Sequence, residues 1–156
     1  MKRIMIAVDF SAQTQRILKQ GYELAGKLGA EVLLLHVEEP EASVVHSNVI
    51  GPYGGMTGFG VDMPTATEIV DDQVERDEAI METLKKQGEA QGLTVSTEVF
   101  IGNEVAGIIR ECEQHKPDLL IMGLHHKGFF SRLLGENPEL ALVKKAPCAL
   151  FFIPEE

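Results

Sequence analysis

The chain alternates short, nearly continuous apolar runs with longer stretches whose apolar residues recur at helical spacing. Arg3–Val8 (Arg-Ile-Met-Ile-Ala-Val) reads as a first strand. Glu31–Val37 (Glu-Val-Leu-Leu-Leu-His-Val) reads as a second, of the kind buried on both faces of a parallel sheet. Between them, Ser11 is placed to cap a helix reaching Leu28, with Ile17, Leu24, Ala25 and Leu28 facing inward. Gly29 stands where a helix C-terminal cap belongs. Thr65–Gln91 is the longest helical stretch, with Val70, Val74, Met81 and Leu84 near helical spacing, and Thr94–Ile101 follows as a third strand. Asn103 is placed to cap a helix carrying Val105, Ile108, Ile109 and Cys112 at i, i+3, i+4 and i+7. Leu119–Met122 is the fourth strand, a short helix begins near Pro138, and Cys148–Ile153 is the last strand.

Strands separated by helices predict an α/β domain with a parallel, doubly wound sheet. Such folds bind ligands outside the carboxyl ends of their strands, where the winding reverses. Asp9, after strand one, and Gly123, after strand four, are therefore the first candidates. Gly123 is read as opening a loop, Leu124 to Arg132, ahead of a helix, which is where α/β proteins often hold phosphate.

The pattern stops between Glu38 and about Pro64, a stretch holding Pro40, Pro52, Pro64 and the glycine-rich run Gly51–Gly60. Its glycines do not lead directly from a strand into a helix, so a phosphate-loop role is disfavoured. It is expected to be a flexible, variable loop at about 38–64 within one domain covering residues 1–156.

Charge removes one class of function. Lysine and arginine number 14 against 24 acids, a net charge of −10, and such a chain gains little from phosphate backbones. Nucleic acid is not an expected partner. No apolar run approaches the roughly 20 residues of a membrane helix. The Met1–Val8 run stops at Asp9 with no cleavage-type segment behind it, so it is read as a strand and the protein as cytoplasmic.

Chemistry-bearing residues are sparse. Cys112 and Cys148 fall in apolar surroundings and read as small buried hydrophobes, without a disulfide or metal role. Glu68, Asp71, Asp72, Glu75, Asp77, Glu78 and Glu82 spread around a solvated helix face and lack the fixed loop of a calcium site. His125 and His126 are adjacent but have no Cys or acid at ligand spacing, so no metal site is expected. His36 is taken as a structural strand-end residue, and Phe129-Phe130 as packing against the sheet or a partner. There is no Gly-x-Ser-x-Gly elbow and no Walker lysine, so no catalytic residue is assigned.

Taken in order, Ile-Ala-Val-Asp9-Phe-Ser11, His36-Val37, Asp118-Leu-Leu-Ile-Met-Gly123 and Ala146-Pro147-Cys148-Ala-Leu-Phe-Phe-Ile-Pro154 resemble the universal stress protein family over essentially the whole chain. The resemblance implies a Rossmann-like, adenine nucleotide alpha hydrolase-like sheet of five parallel strands, ordered 3-2-1-4-5. It also implies a homodimer joined through Cys148, Ala149, Leu150, Phe151, Phe152 and Ile153. An apolar edge strand paired with its own copy satisfies its backbone groups.

Many family members bind ATP through Gly-x2-Gly-x9-Gly-Ser/Thr. Here the first glycine matches Gly123, but a gapless count puts His126 at the second, Glu136 at the third and Asn137 at the hydroxyl position. Glycine lets backbone N–H groups approach phosphate oxygens closely. His126 adds a ring at that place, and Glu136 adds charge, where two like charges about 4 Å apart cost ~1 to 4 kcal/mol depending on solvation. The run Gly123-x-His-His-x-x-Phe-Phe-Ser-Arg-Leu133 resembles the branch related to universal stress protein A, whose members lack the ATP motif. The expectation is a non-enzymatic stress protein with no cofactor and a vestigial pocket at Asp9, Val37, Met122, Gly123, His126, Glu136 and Asn137. The alternative is a stress-signalling switch that binds ATP or AMP with magnesium and hydrolyses ATP slowly. A third reading is a module that regulates a protein partner through the Gly51–Gly60 loop or the Thr65–Gln91 helix.

Overall fold

The structure, a computed structural model, describes residues 1–38, 66–124 and 138–155. Strands β1 (Arg3–Val8), β2 (Glu31–Glu38), β3 (Val95–Ile101), β4 (Leu119–Leu124) and β5 (Ala149–Pro154) form one sheet. Helices α1 (Thr14–Leu28), α2 (Ala66–Glu89), α3 (Glu104–His115) and α4 (Pro138–Lys145) separate them in sequence. The spatial order is β3-β2-β1-β4-β5, and every neighbouring pair is parallel. The chain winds outward from β1 to β3, then returns to the other side of β1 for β4 and β5. The reversal lies between β1 and β4, where crevices in such sheets take ligands.

Two cores explain the near-continuous apolar strands. One face of the sheet (Ile4, Ile6, Val32, Leu34 and Ile121) packs on Ile17, Leu18, Tyr22 and Ala25 of α1 and on Met81 and Leu84 of α2. The other (Met5, Leu33, Leu35, Leu120 and Met122) packs on Ile108 and Cys112 of α3 and on Leu142 of α4. Successive residues of β1 and β2 thus enter opposite cores, so alternation of polar and apolar residues disappears from the sequence. Burying one such Leu or Ile side chain contributes about 1.5–3 kcal/mol over leaving it in water.

The inner face of α1 is rotated from the expected one. Thr14, Ile17, Leu18, Gly21, Tyr22 and Ala25 are buried, whereas Leu28 is exposed and Leu24 only half-buried. Gly21 permits this seating, because a Cβ there would stand 2.4 Å from Ile6 Cδ1. Ser11 does not cap the helix either: Gln13 holds the N-cap position without a side-chain bond. Ser11 instead builds the turn before it, its Oγ accepting from Gln13 N at 3.3 Å and its carbonyl from Thr14 N at 3.1 Å. At the other end Gly29 takes φ +60°, and Ala30 N–H donates to Ala25 O at 3.0 Å, closing the helix as a Schellman-type turn. Asn103 does cap α3, its Oδ1 accepting from Ala106 N at 3.0 Å.

Other boundaries moved by small steps. The second strand runs on through Glu38, β4 continues past Met122 to Leu124, and β5 begins at Ala149 rather than Cys148. Gly123 is therefore a strand residue in register with Ile153 and does not open a loop. The ladder to β5 carries the extended conformation two residues further than the apolar run suggests. Cys112 is buried, its Sγ 3.7 Å from Met5 Sδ, and burial, aided by nearby Cys148, pushes its thiol up to about 12. Both cysteines are free, and a thiol held so high is a poor nucleophile.

Candidate functional site at the carboxyl end of the sheet

Three strand ends and one helix start meet at the winding reversal. Ala7, Asp9, Val37, Glu104, Met122 and Gly123 are among the residues lining a narrow cleft there, with a cavity volume of about 20 Å³. That volume holds roughly one water molecule. Of the residues expected in the pocket, Asp9, Val37, Met122 and Gly123 come together at this cleft. His126, Glu136 and Asn137 lie outside the described residues, as do the loop at 39–64, His125, Phe129 and Phe130.

The loop leaving β1 is held by local bonds. Asp9 Oδ1 accepts from Ser11 N at 3.0 Å, which turns the chain back toward α1. Phe10 sits at φ +57°, a left-handed conformation that is costly for a bulky side chain. Its ring stacks on His36, with centroids 3.8 Å apart and planes inclined by 22°. The stack fixes which way the loop leaves the sheet.

His36 is buried, pairs with Val8 across the β1–β2 ladder, and carries most of the polar chemistry here. Its Nδ1 lies 2.8 Å from Val8 O, and its Nε2 lies 3.1 Å from Glu38 Oε2 and 3.8 Å from Asp77 Oδ2. Gln73 Nε2 donates to Glu38 Oε1 at 2.8 Å. The spacing explains the gathering: His36 and Glu38, two apart on a strand, share one face of the sheet. Gln73 and Asp77, four apart on α2, share one face of the helix. The ligand atoms of His36, Glu38 and Asp77 all lie within 4.8 Å of one another.

Asp77 departs from its expected place on a solvated helix face, being only 8% exposed. Its neighbours Asp72, Glu75 and Glu78 are exposed as expected. Nothing within α2 distinguished it, because the distinguishing partner, His36, is some forty positions earlier in the chain. The only legible hint was a histidine followed two residues later by a carboxylate at the end of a buried strand.

A small five-stranded parallel sheet with a cleft at its winding reversal defines a doubly wound α/β domain. The sequence match is more specific. Residues 1–154 match the model of the universal stress protein family, and the chain belongs to that family. A relative, Universal stress protein MJ0531 of Methanocaldococcus jannaschii, is 24% identical over 153 residues, covering 97% of this chain and 81% of the relative. The structure of universal stress protein UspA from Lactobacillus plantarum is similar with a TM-score of 0.71 at 19% identity, covering 97% of both chains. A universal stress protein family protein from Arabidopsis thaliana, with AMP bound, is similar with a TM-score of 0.62 at 16% identity, covering all of this chain and 93% of the other. At these identities the two structures speak for the fold. Among the described residues, no helix is long and apolar enough to cross a membrane.

Proposed function

We propose that this chain is a non-enzymatic, homodimeric stress-response protein whose pocket holds the family's nucleotide position without binding ATP tightly. One mismatch carries this reading: Asp9, Val37, Met122 and Gly123 line a cleft at the winding reversal, while His126 and Glu136 replace the glycines of the phosphate motif. A triphosphate needs close backbone N–H groups there, and the substitutions supply a ring and a negative charge. Calorimetry with ATP, AMP and magnesium is expected to give no micromolar ATP binding. Changing His126→Gly together with Glu136→Gly should strengthen ATP binding about tenfold or more, the equivalent of ~1.4 kcal/mol. Micromolar ATP binding by the unaltered chain, lost in Gly123→Val, would overturn the proposal.

The alternative, a switch that responds to ATP or AMP, draws support from the Arabidopsis structure with AMP bound. A monophosphate asks less of the phosphate motif. Mass spectrometry of nucleotides carried by the freshly purified protein separates the two readings, since stoichiometric AMP would favour the switch.

For the dimer, the support is β5 itself. It lies at the edge of the sheet with Phe151 41% exposed, and Leu140 and Val143 of α4 are also exposed. The opposite edge, β3, carries the charged Glu98, a residue type that discourages strand pairing, whereas Ala149–Ile153 has no charged residue. Phe151→Lys is expected to yield monomers by light scattering. A dimer of unchanged mass would refute the C-terminal strand as the joint.

A further inference from the structure

We propose that His36, Glu38 and Asp77 bind one divalent transition-metal ion of the zinc class. His36 Nδ1 lies 2.8 Å from Val8 O. A carbonyl oxygen can only accept, so Nδ1 carries the hydrogen, and in the neutral ring Nε2 is left with its lone pair. That lone pair points at Glu38 Oε2, 3.1 Å away, and Asp77 Oδ2, 3.8 Å away, two further electron-rich atoms. Three acceptors facing one another are satisfied by a proton shared among them or by a metal ion between them.

Asp77 supplies the independent sign. Its Oδ2 is buried and has no hydrogen-bond partner, although the side chain is aimed at the cluster. Buried carboxylate oxygens are normally satisfied by donors. A tetrahedral ion with bonds of about 2.0–2.2 Å sets its ligand atoms roughly 3.4 Å apart. The distances of 3.1 and 3.8 Å from Nε2 bracket that spacing. One imidazole nitrogen with two carboxylate oxygens suits zinc and its neighbours better than magnesium or calcium, which take all-oxygen sets.

The surroundings are those of a supported site. Val8 O fixes the tautomer and orientation of the His36 ring, and Gln73 holds the far oxygen of Glu38. Phe10 stacks on the ring, and a bound cation makes that ring electron-poor, which favours contact with an aromatic face. Phe10 follows Asp9 of the cleft, so occupancy by the ion would steady the loop at the cleft's mouth.

The test is zinc titration by calorimetry on the full chain, without a polyhistidine tag and after dialysis against chelator. Cobalt provides a second readout through its visible absorption, which reports nitrogen and oxygen ligation in a low-symmetry site. One equivalent of zinc per chain is expected. Asp77→Asn and His36→Gln should each weaken it about a hundredfold, and Gln73→Ala about tenfold, the usual range for an outer-shell partner. Circular dichroism selects variants that remain folded, and Gln73→Ala, altering a partly exposed side chain, keeps the test alive if another variant does not fold. No binding at sub-millimolar zinc would overturn the proposal. Binding that survives both Asp77→Asn and His36→Gln would overturn it as well, placing the ion on other side chains such as His125 and His126.

Discussion

At the amino end of the sheet, Asp118 lies in water, with its Oδ2 accepting from the backbone N–H groups of Lys2 and of Arg3, the latter at 3.0 Å. At the carboxyl end, Asp77 is buried and its Oδ2 has no hydrogen-bond partner. The donors hold the Asp118 carboxyl below its usual 3.8, with Lys2 N–H the larger influence and Arg3 N–H the next. Asp118 is thus a tie between the chain's first strand and β4, and its bonds account for it fully. Asp77 has no such donors, and an acid without a donor is costly inside a protein. The contrast shows how one residue type can be structural at one end of a sheet and a sign of ligand chemistry at the other.

The sharpest way to break this contrast is to measure stability with and without metal. In chelator, Asp77→Asn should unfold at no lower urea concentration than the unaltered chain, since shape is kept, the acceptor had no donor to lose and the cost of burying the charge is relieved. With free zinc at a hundred times its dissociation constant, the unaltered chain should gain about 2.7 kcal/mol and the variant little. Equal gains in both proteins would dissolve the distinction, because Asp77 would then be as ligand-independent as Asp118.

A smaller effect is expected at the amino end. Asp118→Ala should lower stability at neutral pH with no dependence on zinc. The sign follows from its lowered folded-state pKa: the unfolded chain binds the proton more readily, so the bonds stabilise the protein above the unfolded value, near 3.8. That contribution fades as pH falls from about 4 through the folded value. The unfolding curves of Asp118→Ala and the unaltered chain should therefore converge in acid. A gap that persists or widens below that range would mean the carboxylate's charge is not what the bonds require.

The rotated face of α1 illustrates what a sequence leaves open. Ile17, Leu18, Tyr22, Leu24, Ala25 and Leu28 are all apolar, and several stripes at helical spacing can be drawn through them. Gly21 favours the observed one, since a Cβ there would stand 2.4 Å from Ile6 Cδ1 and the neighbour would have to shift. The cap of α3, by contrast, was fully legible, because Asn103 acts on an amide three residues away. Likewise β2 was legible as a doubly buried strand from its apolar run alone.

The same division runs through the functional end of the molecule. Local order along the chain determined the strands, the helices between them, and hence Asp9 and Gly123 as candidates at strand ends. Val37 and Met122 were added by the family resemblance, and the structure places all four at one cleft. It also determined the replacement of motif glycines by His126 and Glu136, because a motif is a matter of spacing. Tertiary structure alone decided that Asp77, from a helix otherwise edged with solvated acids, is pressed against His36 and Glu38. The physical reason is that burial and the lack of a donor are properties of what surrounds a side chain. Its surroundings are supplied by strands and helices distant in the sequence, and only packing brings them together.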